Sequence, residues 1–373
     1  MREQRNGHGR KNLHGQAEPD RRRLIRKKQR IHRRQTLFGI CYAMIILGFC
    51  IFLYIKMDVS HNTTENKYQL SGLAGMNMEQ QEIAEQNGWE DFVPDDLELD
   101  NLHSPYAILL DAKTGQVLGE KNSNVRMYPA SMTKLMAALV AVENTENWDV
   151  TVEIPQDIFA GLYMEHASLA GFEPGEQVTP EELLYGMLLP SGAECCSTYA
   201  LWLAGGEENF VAWMNEKAKS LGMESTHFVN TTGLHDEEHY SSAHDMAILL
   251  RECLKNDILR RILSAESFQT GSTAWHPQGL ILESTLFQSI EQNQDLSKQK
   301  FKAEQTGATL LGGKTGYTSQ AGLCLASFAL VNGREYILVT AGAEGNHYTE
   351  PLHLQDALNV YAQLAALKPN TLQ

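Results

Sequence analysis

The chain has 373 residues, enough for one large domain or two ordinary ones, and its formal net charge is −15. That charge is unevenly spread, because residues 1–34 hold 13 Lys and Arg against three acids and the remainder is strongly acidic. The basic tail precedes an apolar segment, and positive charge is typical of the cytoplasmic side of a membrane segment. No aromatic residues lie among its cations, so we expect no nucleic-acid partner.

Residues 37–55 form an uncharged segment long enough to span a bilayer as a helix, LFGICYAMIILGFCIFLYI. No small-x-small cleavage site follows it and Lys56 closes it, which favours a retained signal anchor over a cleaved signal peptide. The basic flank predicts that residues 1–36 are a cytoplasmic tail and that the rest of the chain is extracytoplasmic. We therefore expect a single-pass protein of the cell membrane.

Residues 56–100 are predicted to be an acidic stalk, since residues 57–100 hold 11 acids and one base and little that would bury a core. Cysteine usage beyond the membrane segment does not resemble a disulfide framework. Burial on a helix is predicted for the adjacent Cys195 and Cys196. A bridge among Cys253, Cys324 and one of that pair stays open. No CxxC occurs, so a zinc site of cysteines is not indicated.

From residue 101 to residue 373 the sequence predicts one globular domain with strands at both ends and helices between them. Residues 106–120 predict a hairpin that turns at Lys113-Thr114-Gly115. Residues 291–308 are polar and predict an exposed loop. Three more strands are predicted, the last two joined at Asn332-Gly333: 310–318, 323–331 and 335–341. Six helices are predicted: 131–143, 180–189, 194–204, 207–221, 242–256 and 356–367. This order predicts an α+β fold in which an antiparallel sheet is accompanied by a helical lobe.

Ser131 and Lys134 lie at the start of the first of these helices, in the run YPASMTKLM. Residues three apart on a helix share one face, so the Lys134 amine is within reach of the Ser131 hydroxyl. Burial lowers the pKa of an amine, and a neutral lysine accepts a serine proton. The free N–H groups at a helix N-terminus favour developing negative charge. The pair therefore predicts a nucleophilic serine that is activated without histidine.

Two further elements follow in the chain. Ser191-Gly192-Ala193 lies in the break between two predicted helices, and Lys314-Thr315-Gly316 opens a predicted strand behind two glycines. A bare backbone at that strand can lie beside a bound peptide, with a lysine and hydroxyls facing a carboxylate. The other Lys-Thr-Gly, at residues 113–115, is fully explained by its hairpin turn.

In this order the three elements resemble those of the penicillin-interacting serine peptidases, and more closely those of the D-alanyl-D-alanine carboxypeptidases, the low-molecular-mass penicillin-binding proteins. The match covers about residues 103–367 and includes several longer runs: AILLDAKTG, PASMTKLM, LLPSG, FVNTTGLHD, HYSSAHDMA, GKTGYT and AGLCL. The resemblance implies a β-lactamase/transpeptidase-like fold and a hydrolase that trims D-Ala-D-Ala stem peptides of the cell wall.

The resemblance also implies a role for each matching residue. Ser131 attacks the D-Ala-D-Ala carbonyl, Lys134 accepts its proton, and Ser191 relays that proton to the leaving D-alanine. The N–H groups of Ser131 and Tyr317 are the implied oxyanion donors. The remaining residues of the third motif are implied to bind the substrate and its carboxylate: Lys314, Thr315, Gly316, Tyr317 and Thr318. β-Lactams would acylate Ser131, and no cofactor or metal is expected.

The sequence departs from the family pattern at Ala193, where a Ser-x-Asn motif would supply an amide to the lysine of the first motif and to the substrate. Alanine offers no hydrogen bond, and losing one such partner commonly costs about 1–3 kcal/mol. The neighbouring Glu194 points about 100° away on a helix and is not assumed to substitute for the amide. We expect a slowed or re-tuned peptidase.

Three alternatives accompany this interpretation. A class A β-lactamase carries a Glu-x-x-Leu-Asn element, which the run that begins at Glu224 does not match. A zinc D,D-peptidase is raised by a cluster of metal-binding residue types: His235, Asp236, His239, His244 and Asp245. No His-Glu-x-x-His occurs, however, and the resemblance implies that this segment is not catalytic. A membrane-tethered protein that binds peptidoglycan or β-lactam without turnover is the third alternative, and Ala193 favours it.

Overall fold

The structure is a computed structural model, and it describes residue 97 and residues 99–367. The predicted cytoplasmic tail, the predicted membrane segment and most of the predicted stalk lie outside the described residues. Within the described part, no helix is both long enough and apolar enough to cross a membrane. Leu97 and Leu99, near the end of the predicted stalk, pack against the backbone of Gly119.

The strands of the described chain form one large sheet and two small two-stranded sheets. They are β1 (Tyr106–Asp111), β2 (Val117–Lys121), β3 (Val152–Glu153), β4 (Gln177–Val178), β5 (Ser267–Gln269), β6 (Ile281–Glu283), β7 (Ala308–Thr318), β8 (Gly322–Val331) and β9 (Arg334–Ala343). The large sheet is antiparallel in the order β2-β1-β9-β8-β7, so the first strand pairs with the last. This confirms the prediction of a sheet built from both ends of the domain, and it leaves β7 at an edge.

The helices of the described residues lie between β2 and β7, apart from one that follows β9. They are α1 (Lys134–Asn144), α2 (Ile158–Met164), α3 (Pro180–Leu188), α4 (Ala193–Ala204), α5 (Glu207–Ser220), α6 (Ala243–Cys253), α7 (Asp257–Leu263), α8 (Thr285–Gln292), α9 (Gln294–Thr306) and α10 (Leu352–Ala366). All six predicted helices are present, although α10 begins four residues before its predicted start at 356.

The core divides into two clusters, one on each face of the sheet. Along β1, Ile108 belongs to the cluster that includes the helical lobe and Leu109 to the cluster that includes α10, as the two-residue period of a strand requires. Helix α1 is buried along nearly its whole length within the first cluster, which confirms its prediction from uniform apolarity. The sheet therefore holds the start of α1 and the strand β7 close together.

The prediction of an exposed loop over residues 291–308 is wrong, because the structure places α9 there. The Asn293 side chain accepts hydrogen bonds from the N–H groups of Asp295 and Leu296 and caps the helix. Leu296 is fully buried, and Gly307 ends the helix in the left-handed conformation with φ 99°. These cap residues outweigh the low apolar content from which the loop was predicted.

The two turns that were read from sequence are confirmed. In the first hairpin the Gly115 N–H donates to the Asp111 carbonyl at 2.8 Å, and Gly115 has φ 79°. In the second, Asn332 and Gly333 have φ values of 50° and 84°, the paired left-handed conformation of a two-residue hairpin. The two-stranded sheets β3-β4 and β5-β6 and the helices α2, α7 and α8 were not predicted.

Candidate active site

The first motif lies on a short 3₁₀ turn, Ala130–Thr133, that leads directly into α1. Ala130 has φ 47°, in the left-handed region that costs a residue with a Cβ about 1–2 kcal/mol. Gly233 packs against this turn with φ 83°, and a Cβ at that position would overlap the Ala130 carbonyl oxygen. The turn that carries Ser131 is thus strained and tightly supported, as is common at reactive residues.

Lys134 is the first residue of α1, and its side chain is buried beneath Ser131. Its Nζ lies 3.2 Å from Ser131 Oγ and donates a hydrogen bond to the Thr232 carbonyl oxygen at 2.7 Å. Burial lowers the pKa of Lys134, an effect that nearby Cys196 and Glu194 partly oppose. A lysine of lowered pKa within hydrogen-bond distance of a serine is equipped to accept its proton.

A buried histidine, His239, contacts the turn that carries Ser131. His239 Nδ1 accepts a hydrogen bond from the Val229 N–H at 3.2 Å, so the proton of the neutral ring is on Nε2, which lies 2.8 Å from Thr133 Oγ1. Burial lowers the pKa of His239 to about 4, which keeps the ring neutral. The histidine thereby joins the first motif to the segment that carries the Thr232 carbonyl.

The second and third motifs meet through one hydrogen bond. Lys314 is 1% exposed on β7, and its Nζ donates to Ser191 Oγ at 3.1 Å and to the Thr315 carbonyl at 2.9 Å. Ser191 has φ 70°, a second residue with a Cβ in the left-handed region. Burial holds the pKa of Lys314 well below its usual range, and the neighbouring Lys134 lowers it further. Two lysines thus flank the serines.

The rest of the third motif lies along the β7 edge. The Gly316 backbone is so close to the first motif that a Cβ there would lie 3.1 Å from Ser131 N. The Thr315 hydroxyl lies 2.6 Å from the Thr285 hydroxyl at the start of α8. The Tyr317 ring meets the edge of His347. The Thr318 hydroxyl accepts from the Ala321 N–H at 3.0 Å and so closes the β7-β8 turn.

At the position where the family pattern expects an amide, Ala193 is 1% exposed and its N–H donates to the Ser168 carbonyl. Its methyl group offers Lys134 no hydrogen bond, and the Thr232 carbonyl supplies one from another loop. Glu194 accepts its hydrogen bonds from the N–H groups of Ala170 and Gly171, so its carboxyl does not stand in for the missing amide.

The groups named by the alternative interpretations have other surroundings. Asp245 accepts from the Ser225 N–H and the Thr226 hydroxyl, while His239 lies under the first motif. Among the residues that the structure describes, no three His, Cys, Asp or Glu side chains converge as a metal site would require. The four cysteines of the domain are buried free thiols: Cys195, Cys196, Cys253 and Cys324.

Sequence reasoning did not identify Thr232, His239 or Thr285 as parts of the site. The run NTTG ahead of Leu234 carried a turn signal, and its glycine was a clue that the backbone there approaches another segment. Nothing in the sequence connects Thr285 with Thr315, because the two residues are on different elements and 30 positions apart.

The site combines a serine and a lysine on a strained turn with a second serine between two helices and a second lysine on a sheet edge. This combination defines the active-site serine class with the penicillin-binding fold. The family model for D-alanyl-D-alanine carboxypeptidase, peptidase S11, matches residues 94–345. The chain therefore belongs to the S11 family.

Curated relatives agree with this assignment. The D-alanyl-D-alanine carboxypeptidase DacF of Bacillus subtilis is 36% identical over 248 residues, which are 64% of this chain and 57% of that protein. DacD of Escherichia coli is 30% identical over 65% of this chain and 59% of its own length. The match takes in less than two thirds of either relative.

Solved structures show the same fold. The D-alanyl-D-alanine carboxypeptidase of Mycobacterium tuberculosis has a TM-score of 0.60 and 26% identity, and the match covers 75% of this chain and 98% of that one. The Streptomyces K15 DD-transpeptidase has a TM-score of 0.60 at 24% identity, over 70% of this chain and 98% of that one. The α+β architecture with an antiparallel sheet is thus the DD-peptidase fold.

Proposed function

We propose that this chain is a serine-type D-Ala-D-Ala carboxypeptidase that removes the terminal D-alanine from peptidoglycan stem peptides through an acyl-enzyme. The observation that carries the proposal is the buried Lys134 amine, which has a lowered pKa and lies 3.2 Å from the Ser131 hydroxyl. Membership of the S11 family and the second lysine, Lys314, beside Ser191 support the same reaction.

In acylation, Ser131 Oγ forms a bond to the carbonyl carbon of the scissile peptide while its proton passes to Lys134. The Thr232 carbonyl stabilises the resulting ammonium, since hydrogen bonds to a charged donor are stronger than those to a neutral one. Lys134 then passes this proton through Ser191 to the nitrogen as the C–N bond breaks and D-alanine leaves, which makes Lys134 neutral again. Water then attacks the ester and gives a proton to Lys134, which returns it to Ser131.

The terminal carboxylate of the stem peptide is assigned to Lys314 and Thr315. Burial disfavours the charged form of Lys314, and a bound carboxylate within a few ångströms would favour it again. Substrate binding would therefore restore a positive charge beside Ser191 at the start of the reaction. A β-lactam carries a carboxylate next to its reactive carbonyl and would acylate Ser131 in the same position.

We also propose that residues 37–55 anchor the chain in the cell membrane with residues 1–36 in the cytoplasm. The uncharged segment and its basic flank support this topology. The stalk of residues 56–100 would then present the catalytic domain to the cell wall. Protease added to intact protoplasts should digest the domain, and survival of the domain until the membrane is lysed would contradict the topology.

The test of the reaction is D-alanine release from diacetyl-Lys-D-Ala-D-Ala by the full-length chain and by its Ser131→Ala and Ala193→Asn variants. We expect release by the parent protein and none above background by Ser131→Ala. Labelling with a fluorescent penicillin should follow the same pattern. Faster turnover by Ala193→Asn would show that the missing amide limits the rate.

Equal release by the parent protein and by Ser131→Ala would contradict the proposed function. Labelling of the parent protein by penicillin without any release of D-alanine would favour instead a membrane-tethered binding protein, the alternative that Ala193 supports.

A further inference from the structure

Glu194 is a completely buried carboxyl group at the N-terminus of α4, three residues beyond Ser191. Its Oε1 accepts hydrogen bonds from the N–H groups of Ala170 at 2.6 Å and Gly171 at 3.0 Å. Its Oε2 is buried and has no hydrogen-bond partner among the residues that the structure describes. A buried carboxyl with one unpaired oxygen is costly, so it calls for a reason beyond packing.

The segment 168–172 that Glu194 holds lies directly on the turn of the second motif. The Ala193 N–H donates to the Ser168 carbonyl at 2.8 Å, which adds a backbone link to the two carboxyl links. At Gly192 an added Cβ would lie 2.7 Å from the Ala170 Cβ and 2.9 Å from Glu194 Oε2. The carboxyl group thus fixes the backbone next to Ser191, whose φ of 70° needs such support.

Glu194 also interacts electrostatically with the first motif. Burial raises the pKa of Glu194, and backbone N–H groups, those of Gly171 and Ala170 among them, favour the ionised form and oppose part of that rise. In its ionised form Glu194 raises the pKa of Lys134 and so opposes part of the lowering by burial. The other groups around it are the thiols of Cys195 and Cys196 on its own helix, while segment 168–172 contributes no titratable side chain. Burial raises the pKa of Cys196 to about 12, so this thiol is neutral at ordinary pH. Lys314 on β7 is also close, but a lysine is either positive or neutral and so cannot supply a negative charge.

We propose that Glu194 is a positioning residue of the peptidase site, which holds the Ser191 turn through segment 168–172 and supplies the negative charge that favours proton transfer from Ser131 to Lys134. The inference rests on the proposed function and deepens it. A lysine that acts as the base is neutral before the transfer and positive after it, so an anion nearby stabilises the acylation step more than the free site. In this way Glu194 makes up, through charge, part of what Ala193 lacks as a hydrogen-bond donor.

The test compares Glu194→Gln with Glu182→Gln in the full-length chain. Glu182 is a matched control, because it is also buried and also binds backbone N–H groups, those of Gly271 and Thr179. It is not among the groups that shift the pKa of Lys134. The measurement is kcat and kcat/KM for D-alanine release from diacetyl-Lys-D-Ala-D-Ala over pH 5–10, with thermal unfolding of each variant.

Loss of the Glu194 charge should lower the pKa of Lys134. The acidic limb of the pH profile of kcat/KM should therefore move to lower pH in Glu194→Gln, by about half a unit to one unit. A less basic lysine should also lower the plateau of kcat about three- to tenfold. Glu194→Asp keeps the charge, so its limb should stay where the parent has it. Glu182→Gln should unfold at a lower temperature with its limb unmoved.

An acidic limb that stays in place in Glu194→Gln while the parent releases D-alanine would overturn the inference and leave the proposed function standing. If Glu194→Gln does not fold, a limb displaced in Glu194→Asp would overturn it equally. Release by the parent no greater than by Ser131→Ala would instead overturn the proposed function itself.

Discussion

The chain contains the tripeptide Lys-Thr-Gly twice, and the two copies lie in very different surroundings. Lys113 and Thr114 are exposed at the tip of the β1-β2 hairpin, where Gly115 makes the turn. Lys314 lies on the edge strand β7, but its side chain is buried, and its Nζ donates a hydrogen bond to Ser191 Oγ. Residue type and spacing are identical, so every difference between the copies comes from the fold.

The contrast shows that burial and neighbouring charge, and not the tripeptide itself, set the properties of the lysine. The Lys113 side chain is exposed, and its carbonyl accepts a hydrogen bond from the Arg251 guanidinium at 2.8 Å. Lys314 is buried away from water, which holds its pKa well below the usual range, and lies beside a second buried lysine. A buried lysine beside a second buried lysine favours the binding of an anion, and in the proposed function that anion is the terminal carboxylate of a stem peptide.

The largest expected effect comes from removing the two lysines in turn. Lys314→Met keeps most of the side-chain volume and removes the charge, so kcat/KM for diacetyl-Lys-D-Ala-D-Ala should fall about a hundred- to a thousandfold, as for loss of a preorganised electrostatic group. Lys113→Met should change it less than about twofold, as expected of a hydrated surface position. D-alanine release by both variants, with penicillin labelling of Ser131, measures the difference.

Similar activities for the two variants would show that the buried copy has no special role. A loss in Lys314→Met that is confined to substrates with a free carboxylate would strengthen its assignment as the carboxylate anchor.

Much of the fold could be predicted because its signals are local. The hairpin turns depend on glycine and asparagine in left-handed conformations, and the burial of α1 follows from its uniform apolarity. The order of strands and helices then left an antiparallel sheet closed by both ends of the domain. The wrong prediction at α9 was local too. The polar composition of residues 291–308 was given more weight than the cap residues Asn293 and Gly307, which in the structure begin and end a helix.

The site could be predicted only where its residues lie in recognisable runs. Ser131, Lys134, Ser191 and Lys314 are brought together by the structure as the motifs anticipated. The Thr232 carbonyl could not be foreseen as a partner of Lys134, because it is a backbone atom supplied by a separate loop. Polar contacts between distant segments, such as that carbonyl with Lys134, depend on the packing of the lobe and leave no trace in sequence spacing.

The glycines of the two copies should respond in opposite ways to alanine. Gly316→Ala places a Cβ 3.1 Å from Ser131 N, which must push the β7 edge away from the nucleophile by a few tenths of an ångström. We expect kcat/KM to fall about tenfold, because small displacements at a reactive centre are costly, with little change in thermal stability. Gly115→Ala instead strains a φ of 79°, which should cost about 1–2 kcal/mol of folding free energy and leave kcat/KM unchanged.

Thermal unfolding and D-alanine release, measured on both glycine variants, check this crossed pattern. Loss of activity in Gly115→Ala, or a stable and fully active Gly316→Ala, would mean that the close approach of β7 to the first motif has no catalytic consequence.

The smallest expected effect concerns the threonines. Thr315 Oγ1 lies 2.6 Å from Thr285 Oγ1, whereas Thr114 Oγ1 donates to the Asp111 carboxylate at 2.9 Å within its own turn. If Thr285 donates to Thr315, the Thr315 proton is free to be donated to a substrate carboxylate. Thr285→Val removes that donor at nearly constant volume, so KM should rise about two- to tenfold with kcat almost unchanged, as for one hydrogen bond of about 0.5–1.5 kcal/mol.

The conservative and matched variants decide whether Thr285 acts through the Thr315 hydroxyl. Thr285→Ser keeps a hydroxyl and should restore most of the KM, and Thr114→Val should leave it at the parent value. A peptide whose terminal carboxylate is amidated should bind the parent and Thr285→Val equally weakly, because it has no anion to receive the Thr315 proton. An equal rise in KM for the amidated peptide would assign the effect to a shift of α8 instead, and the hydroxyl pair would then be a packing contact between β7 and the helix.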